Sequence, residues 1–300
     1  MELIEQFLDY LTHERGYSLC TVEAYGHDLA QWAAYATDGD VSKLRPLDMT
    51  ASDLRLWIAE MSRGGMSPKS INRKISSLRG FYRFLLTMGA IKNNPTARLR
   101  LPKVPKSLPA YVRKHEMEAI LDGVAVPAVD ADDERLDDGS AVTGPVEHDT
   151  LRDGLIMNLL YATGMRCSEL IGLCDVDVDT RRRELKVLGK RNKERVIPFG
   201  DELAAAIDRY RSVRDAAPLT AIASGDPRAP LLVRADGRPL YRKLVYNVVH
   251  RMLSDGGAHA GRLSPHVMRH SMATGMLNAG ASIASVQQLL GHASLTSTQI

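Results

Sequence analysis

Glu184-Leu185-Lys186-Val187-Leu188 and Arg195-Val196-Ile197 stand on either side of a polar run, Gly189-Lys190-Arg191-Asn192-Lys193-Glu194. Around them the chain reads with helical spacing, but here the period changes to that of a strand, with two apolar runs closed by a turn-rich, charged segment. The stretch therefore predicts a β-hairpin with a cationic tip. It makes the fold mainly α with one small antiparallel sheet rather than all-helical.

Outward from the hairpin, helical patterns are expected around residues 113–122 and 150–162, with another helix opening near Arg166. Beyond it they resume at 201–214, 240–254, 265–278 and 282–290, and Leu231 to Val233 admits a further strand. Leu101-Pro102-Lys103-Val104-Pro105-Lys106-Ser107-Leu108-Pro109 cannot continue a helix, so residues 101–109 read as an extended, basic linker. It separates an N-terminal helical domain, residues 1–100, from a C-terminal domain, residues 110–300. In the first, Phe7, Leu8 and Leu11 keep helical spacing, as does Thr21 to Tyr35; Ser52 to Met61 follows the cap signals Thr50-Ala51-Ser52. Ser67-Pro68 reads as an N-cap with proline at the first helical position. Ile71, Ile75, Leu78, Tyr82 and Leu85 then form one apolar stripe, with Lys69 and Arg73, and Arg79 and Arg83, paired at i, i+4 on the basic side.

The chain has 300 residues, 44% of them hydrophobic, enough for two domains with real cores. No apolar run approaches the roughly 18 residues of a membrane span, so a cytoplasmic protein without membrane contact is expected. Cys20, Cys167 and Cys174 lack metal-ligand pairing; Cys167 and Cys174 fall at i, i+7 on an expected helix, and all three read as buried thiols.

Net charge is only +3, but its distribution is uneven. From Ser62 to Lys106 there is no Asp or Glu, while Lys69, Arg73, Lys74, Arg79, Arg83 and Lys103 are among eleven cations. Excluding carboxylates is what a phosphate-neutralising surface requires, because affinity comes from counterion release. These six are the candidate DNA contacts, and duplex DNA is the expected partner. The bias reverses between Asp130 and Asp149, where eight acidic residues face a single arginine, Arg135. That stretch is expected to be a surface loop directed away from a polyanion.

Three further stretches carry chemistry. Ala162-Thr163-Gly164-Met165-Arg166-Cys167-Ser168-Glu169-Leu170 precedes the hairpin, and Ser264-Pro265-His266-Val267-Met268-Arg269-His270 and Leu289-Leu290-Gly291-His292 follow it. Ser264 and Pro265 suit the start of a helix, so His266 and Arg269 at i, i+3 would share a face near its N-terminus, where an anion is stabilised. Guanidiniums grip phosphate bidentately and stay cationic at any working pH; histidines titrate near neutrality. Gly291 reads as a helix C-cap.

In order and spacing these stretches resemble the tyrosine recombinase (phage integrase) family, and within it the Xer-type recombinases, over essentially the whole chain. The resemblance implies an N-terminal SAM-like core-DNA-binding domain and a mixed α/β catalytic domain. It implies Arg166, Lys190, His266, Arg269 and His292 as catalytic residues, with Lys190 as general acid (Lys193 the fallback) and Glu169 as the carboxylate orienting Arg166 or a nearby histidine. The family often has glycine where Arg191 stands. The nucleophilic tyrosine is expected directly after Ile300; Thr296 and Gln299 read as a capping box, and the C-terminal end is expected to be missing.

The implied activity is site-specific DNA strand exchange through a 3′-phosphotyrosyl link, without metal or other cofactor, for chromosome or plasmid dimer resolution at a dif-like site. Homo- or hetero-tetramers with a related recombinase are implied, and a DNA-translocase regulator is admitted as a further partner. A mobile-element integrase, a catalytically dead DNA-binding protein of the same fold, and a metal nuclease on His266, His270 and His292 stay open as alternatives.

Overall fold

In the computed structural model, residues 2–105, 111–124, 145–189, 194–216, 226, 228–258, 261 and 263–291 are described. The chain divides into two compact units, Met1–Ser107 and Leu108–Ile300.

The N-terminal unit is helical. Helix α1 (Glu2–Asp9) runs into a π-helical turn at Tyr10–Glu14, then come α2 (Leu19–Ala36), α3 (Ala51–Arg63) and α4 (Pro68–Thr87). Local chemistry sets the helix starts: Thr50 and Asp53 form a reciprocal capping box, and the Ser67 side chain accepts from the Ser70 amide ahead of Pro68. The stripe Ile71, Ile75, Leu78, Tyr82 and Leu85 is fully buried, and Phe7, Trp32, Phe81 and Tyr82 interlock as tilted and edge-on aromatic pairs.

The C-terminal unit comprises α5 (Lys114–Val124), α6 (Pro145–Thr163), α7 (Cys167–Ile171), a three-stranded antiparallel sheet, and α8 (Asp201–Ala216), α9 (Arg242–Asp255), α10 (Pro265–Asn278) and α11 (Ile283–Leu290). Leu151, Leu155, Ile156, Met157, Leu159 and Leu160 bury α6 from several sides, which makes it the central helix of the unit. The hairpin is present as β2 (Glu184–Leu188) and β3 (Glu194–Pro198), paired in register Leu185 with Ile197 and Val187 with Arg195. A short strand not anticipated from sequence, β1 (Val178–Asp179), adds to the outer edge of β2.

Leu231–Val233 is not a strand. Its backbone groups are taken by others: the Val233 amide donates to the Tyr210 hydroxyl, the Leu231 carbonyl accepts from Arg214, and the Leu231 amide reaches Leu173. Only isolated bridges at Pro230 and Val233 remain. Here apolar side chains are buried without a ladder, so an apolar run alone does not make a strand. The cysteines also depart from expectation. Helix α7 ends at Ile171, so Cys174 lies beyond it, and of the three only Cys167 is buried while Cys20 is exposed. Most of the acidic run, residues 125–144, and the expected capping box at Thr296 lie outside the described residues.

Candidate active site

The site begins where α6 stops. Thr163 turns its hydroxyl back onto the Leu159 carbonyl, and Gly164 follows with φ +58°. A Cβ there would stand 2.0 Å from Met272 Cε and 2.9 Å from Leu290 Cδ2, so both backbone and space require glycine. The turn delivers Arg166 to the N-cap of α7 in extended conformation. Glu169, in the first turn of α7, reaches back to the Arg166 amide at 2.8 Å and to its guanidinium at 2.7 Å.

A second arginine closes on the same carboxylate. Arg195, on β3, donates Nη1 and Nη2 to the two oxygens of Glu169 at 3.0 and 2.8 Å, while its Nε donates to the Leu289 carbonyl at 3.0 Å. Arg269, on α10, is buried and donates to the carbonyls of Gly164 and Leu290 at 2.5 and 2.6 Å. The last carbonyls of a helix lack intrahelical partners, and two guanidiniums satisfy them at the end of α11. Gly291 ends that helix in the left-handed conformation, its amide donating to Gln288.

Arg166 and Arg195 thus share one carboxylate, Glu169, and Arg269 lies near enough for the charges of all three to act on it. The titration behaviour follows. Burial alone would raise the Glu169 carboxyl, but hydrogen bonds and charge from Arg195 and Arg166 win and hold it at about 2. Arg269 is pushed down to about 10, first by burial and then by repulsion from Arg166 and Arg195, which Glu169 only partly offsets. It remains cationic at neutral pH. Guanidiniums that repel one another, as Arg166 and Arg195 repel Arg269, favour an added anion, and their planar donors match the oxygens of a phosphodiester.

Of the residues expected from sequence, Arg166, Glu169 and Arg269 come together, and His266 lies exposed on the first turn of α10 ahead of Arg269. Ser264 holds the N-cap position with extended backbone but makes no side-chain cap bond there. His270 is half-buried, its pKa lowered by burial, and its Nε2 has no partner among the described residues. Lys190, Lys193 and His292 lie outside the described residues. Among the described residues no group of three His, Cys, Asp or Glu is arranged to hold a metal ion, and no helix is long and apolar enough to cross a membrane.

Arg195 was not anticipated. The signal was available: strand alternation puts it on the same face as buried Ile197, so a cation was facing inward.

In the N-terminal unit, Lys69, Arg73, Arg83 and Lys103 are exposed. Arg79 is half-buried and donates to the Leu99 carbonyl at 2.9 Å. Lys74 requires a correction. It is 5% exposed, and its ammonium is spent on buried Asp28 at 3.2 Å and on Gln31. A lysine so enclosed is a core ion-pair partner, not a phosphate contact. Arg73 shares Asp28 at 2.6 Å while keeping half its side chain in solvent.

Residues 139–300 match the phage integrase family, and residues 4–89 match the phage integrase N-terminal SAM-like domain. The chain is 34% identical to tyrosine recombinase XerC of Chlorobaculum tepidum, covering 98% of this chain and 88% of that protein. It is 37% identical to tyrosine recombinase XerD of Xanthomonas axonopodis pv. citri, covering 99% and 91%. The structure of the Tn1549 transposon integrase in complex with transposon right end DNA superposes with a TM-score of 0.72 at 20% identity, over 99% of this chain and 93% of that one, a likeness of fold. The guanidinium cluster stands on the fold, and in the stretch of sequence, that these matches share: the chain belongs to the phage integrase family of tyrosine recombinases.

Proposed function

We propose that this chain is the DNA-gripping and phosphate-activating body of an Xer-type site-specific recombinase. The observation that carries the reading is the convergence of three guanidiniums, Arg166 and Arg195 on the carboxylate of Glu169 and buried Arg269 near enough to feel their charges. A phosphodiester under attack gains charge on its non-bridging oxygens, and donors already fixed around that charge need no rearrangement when it forms. Arg166 and Arg269 bear on those oxygens. A tyrosine following Ile300 attacks phosphorus, forming a 3′-phosphotyrosyl bond and breaking the bond to the sugar 5′ oxygen. Lys190 protonates that oxygen, with Lys193 as the fallback donor. His266 and His292 hydrogen-bond the phosphate or carry the nucleophile's proton. The freed 5′ hydroxyl of the partner strand then reverses the step, so bond energy is kept and neither ATP nor a metal is called for.

The N-terminal unit holds the duplex through Lys69, Arg73 and Arg83, with Arg79 and linker Lys103 alongside. Identities of 34% and 37% to proteins named tyrosine recombinase XerC and XerD support the Xer-type reading. With it we propose dimer resolution of chromosomes or plasmids at a dif-like site in the cytoplasm, by a homo- or hetero-tetramer with a related recombinase, a DNA translocase being admitted as regulator.

The test is covalent. A chain extended by tyrosine after Ile300, incubated with a duplex nicked beside its cleavage position, forms a denaturation-resistant protein-DNA adduct mapping to that tyrosine. An adduct on any internal tyrosine, or none with the extended chain, defeats the assignment.

A further inference from the structure

Arg195 does more than neutralise Glu169. Three of its donors are committed, two to the carboxylate and one to the Leu289 carbonyl, and only 13% of its side chain meets solvent. Its Cδ and Nη1 lie 3.3 Å from where a Gly291 Cβ would stand, so the left-handed turn that ends α11 rests directly on it. The residue therefore touches three separate pieces of chain. It belongs to hairpin strand β3, it grips the carboxylate that holds Arg166, and it carries the C-terminal end of α11. Arg166, by contrast, keeps 26% of its side chain exposed.

We infer that Arg195 is a positioning residue that locks the hairpin, the Arg166–Glu169 pair and the C-terminal end of α11 into one unit. The planar fork makes this possible. Two parallel bonds fix the guanidinium plane against Glu169, and the remaining Nε–H then points along a set direction to Leu289, which a lysine ammonium cannot reproduce. Arg195 acts on the reacting phosphate only through Arg166 and through the backbone after Leu289. The inference rests on the recombinase reading for its catalytic consequence, but not for its structural one.

Two arms separate these. In the 300-residue chain, Arg195→Ala and Arg195→Lys should both speed amide exchange at Gly291 and at Arg166 by about tenfold or more, while Leu160 in α6 stays protected. In the tyrosine-extended chain at saturating DNA, Arg195→Ala should slow single-turnover cleavage by about 10- to 100-fold, the usual effect of losing an orienting partner. DNA affinity should hold, and Arg195→Lys should not restore the rate. The double variant with Arg166→Ala should cleave no more slowly, within about twofold, than Arg166→Ala alone. Restoration by lysine, multiplying rather than overlapping losses, or unchanged exchange at Gly291 would overturn the inference. If Arg195→Ala does not fold, the lysine variant carries both arms. If the extended wild-type chain does not cleave, the recombinase reading fails and the exchange arm alone judges Arg195.

Discussion

Replacing Glu169 with glutamine removes the carboxylate that Arg166 and Arg195 share while keeping its shape. The native carboxylate accepts from the Arg166 amide, the Arg166 guanidinium and both outer nitrogens of Arg195, at 2.7 to 3.0 Å. These contacts move its pKa from 4.5 to about 2. At 1.36 kcal/mol per unit that difference stabilises the fold by about 3 kcal/mol at neutral pH. Solvent on the open side of Arg166 screens part of it, leaving about 2 to 3 kcal/mol. A glutamine amide keeps one acceptor but turns donors toward donors, so Glu169→Gln should lose at least this much. In a unit of this size, that lowers Tm by about 4 to 12 °C at pH 7. Because the folded pKa is depressed, the stabilisation is complete above pH 4.5 and disappears as pH falls toward 2. The gap between wild type and variant should therefore close across that window. Thermal unfolding followed by circular dichroism at pH 7, 4.5 and 3 checks both parts. A Tm within 2 °C of wild type at pH 7, or a gap that persists unchanged at pH 3, would refute Glu169 as the counter-charge of the cluster.

Gly164→Ala combines a left-handed φ with contact on Met272 and Leu290 and should cost about 2 kcal/mol or more, read by denaturant unfolding. Arg83→Glu should weaken DNA binding and flatten its dependence on salt, whereas Lys74→Met should change the stability of the N-terminal unit and leave the salt slope of binding alone. In the tyrosine-extended chain, Lys190→Ala should be slow on ordinary DNA and largely rescued by a 5′-bridging phosphorothiolate, whose sulfur leaves without a proton. Rescue of Lys193→Ala instead would move the general acid to that position.

The helices and the hairpin were legible because their signals are local: Ser67-Pro68 and Thr50 with Asp53 fix helix starts, and Leu185 and Val187 betray a strand. Arg166, Glu169 and Arg269 could be picked out by family resemblance, and the turn at Gly164 explains how they meet. What the sequence concealed was non-local. Lys74 belongs to the same carboxylate-free run as Arg83, and nothing in that run shows that Asp28, on another helix, claims it. Leu231 to Val233 has a strand's composition, but the partners of its backbone, Arg214 and Tyr210, come from α8. Alternation with Ile197 marks Arg195 as facing inward, but its partners, Glu169 on α7 and Leu289 on α11, lie far away in sequence.

The central claim is that the guanidinium cluster stabilises charge on a phosphate during transfer rather than merely holding DNA. Single-turnover cleavage by tyrosine-extended Arg269→Ala, measured with all DNA bound and alongside its dissociation constant, tests this directly. The rate should fall on the order of 10²- to 10³-fold while affinity changes far less, as for loss of one donor aimed at a developing charge. A cleavage rate near wild type, or a loss that appears wholly in affinity, would contradict it.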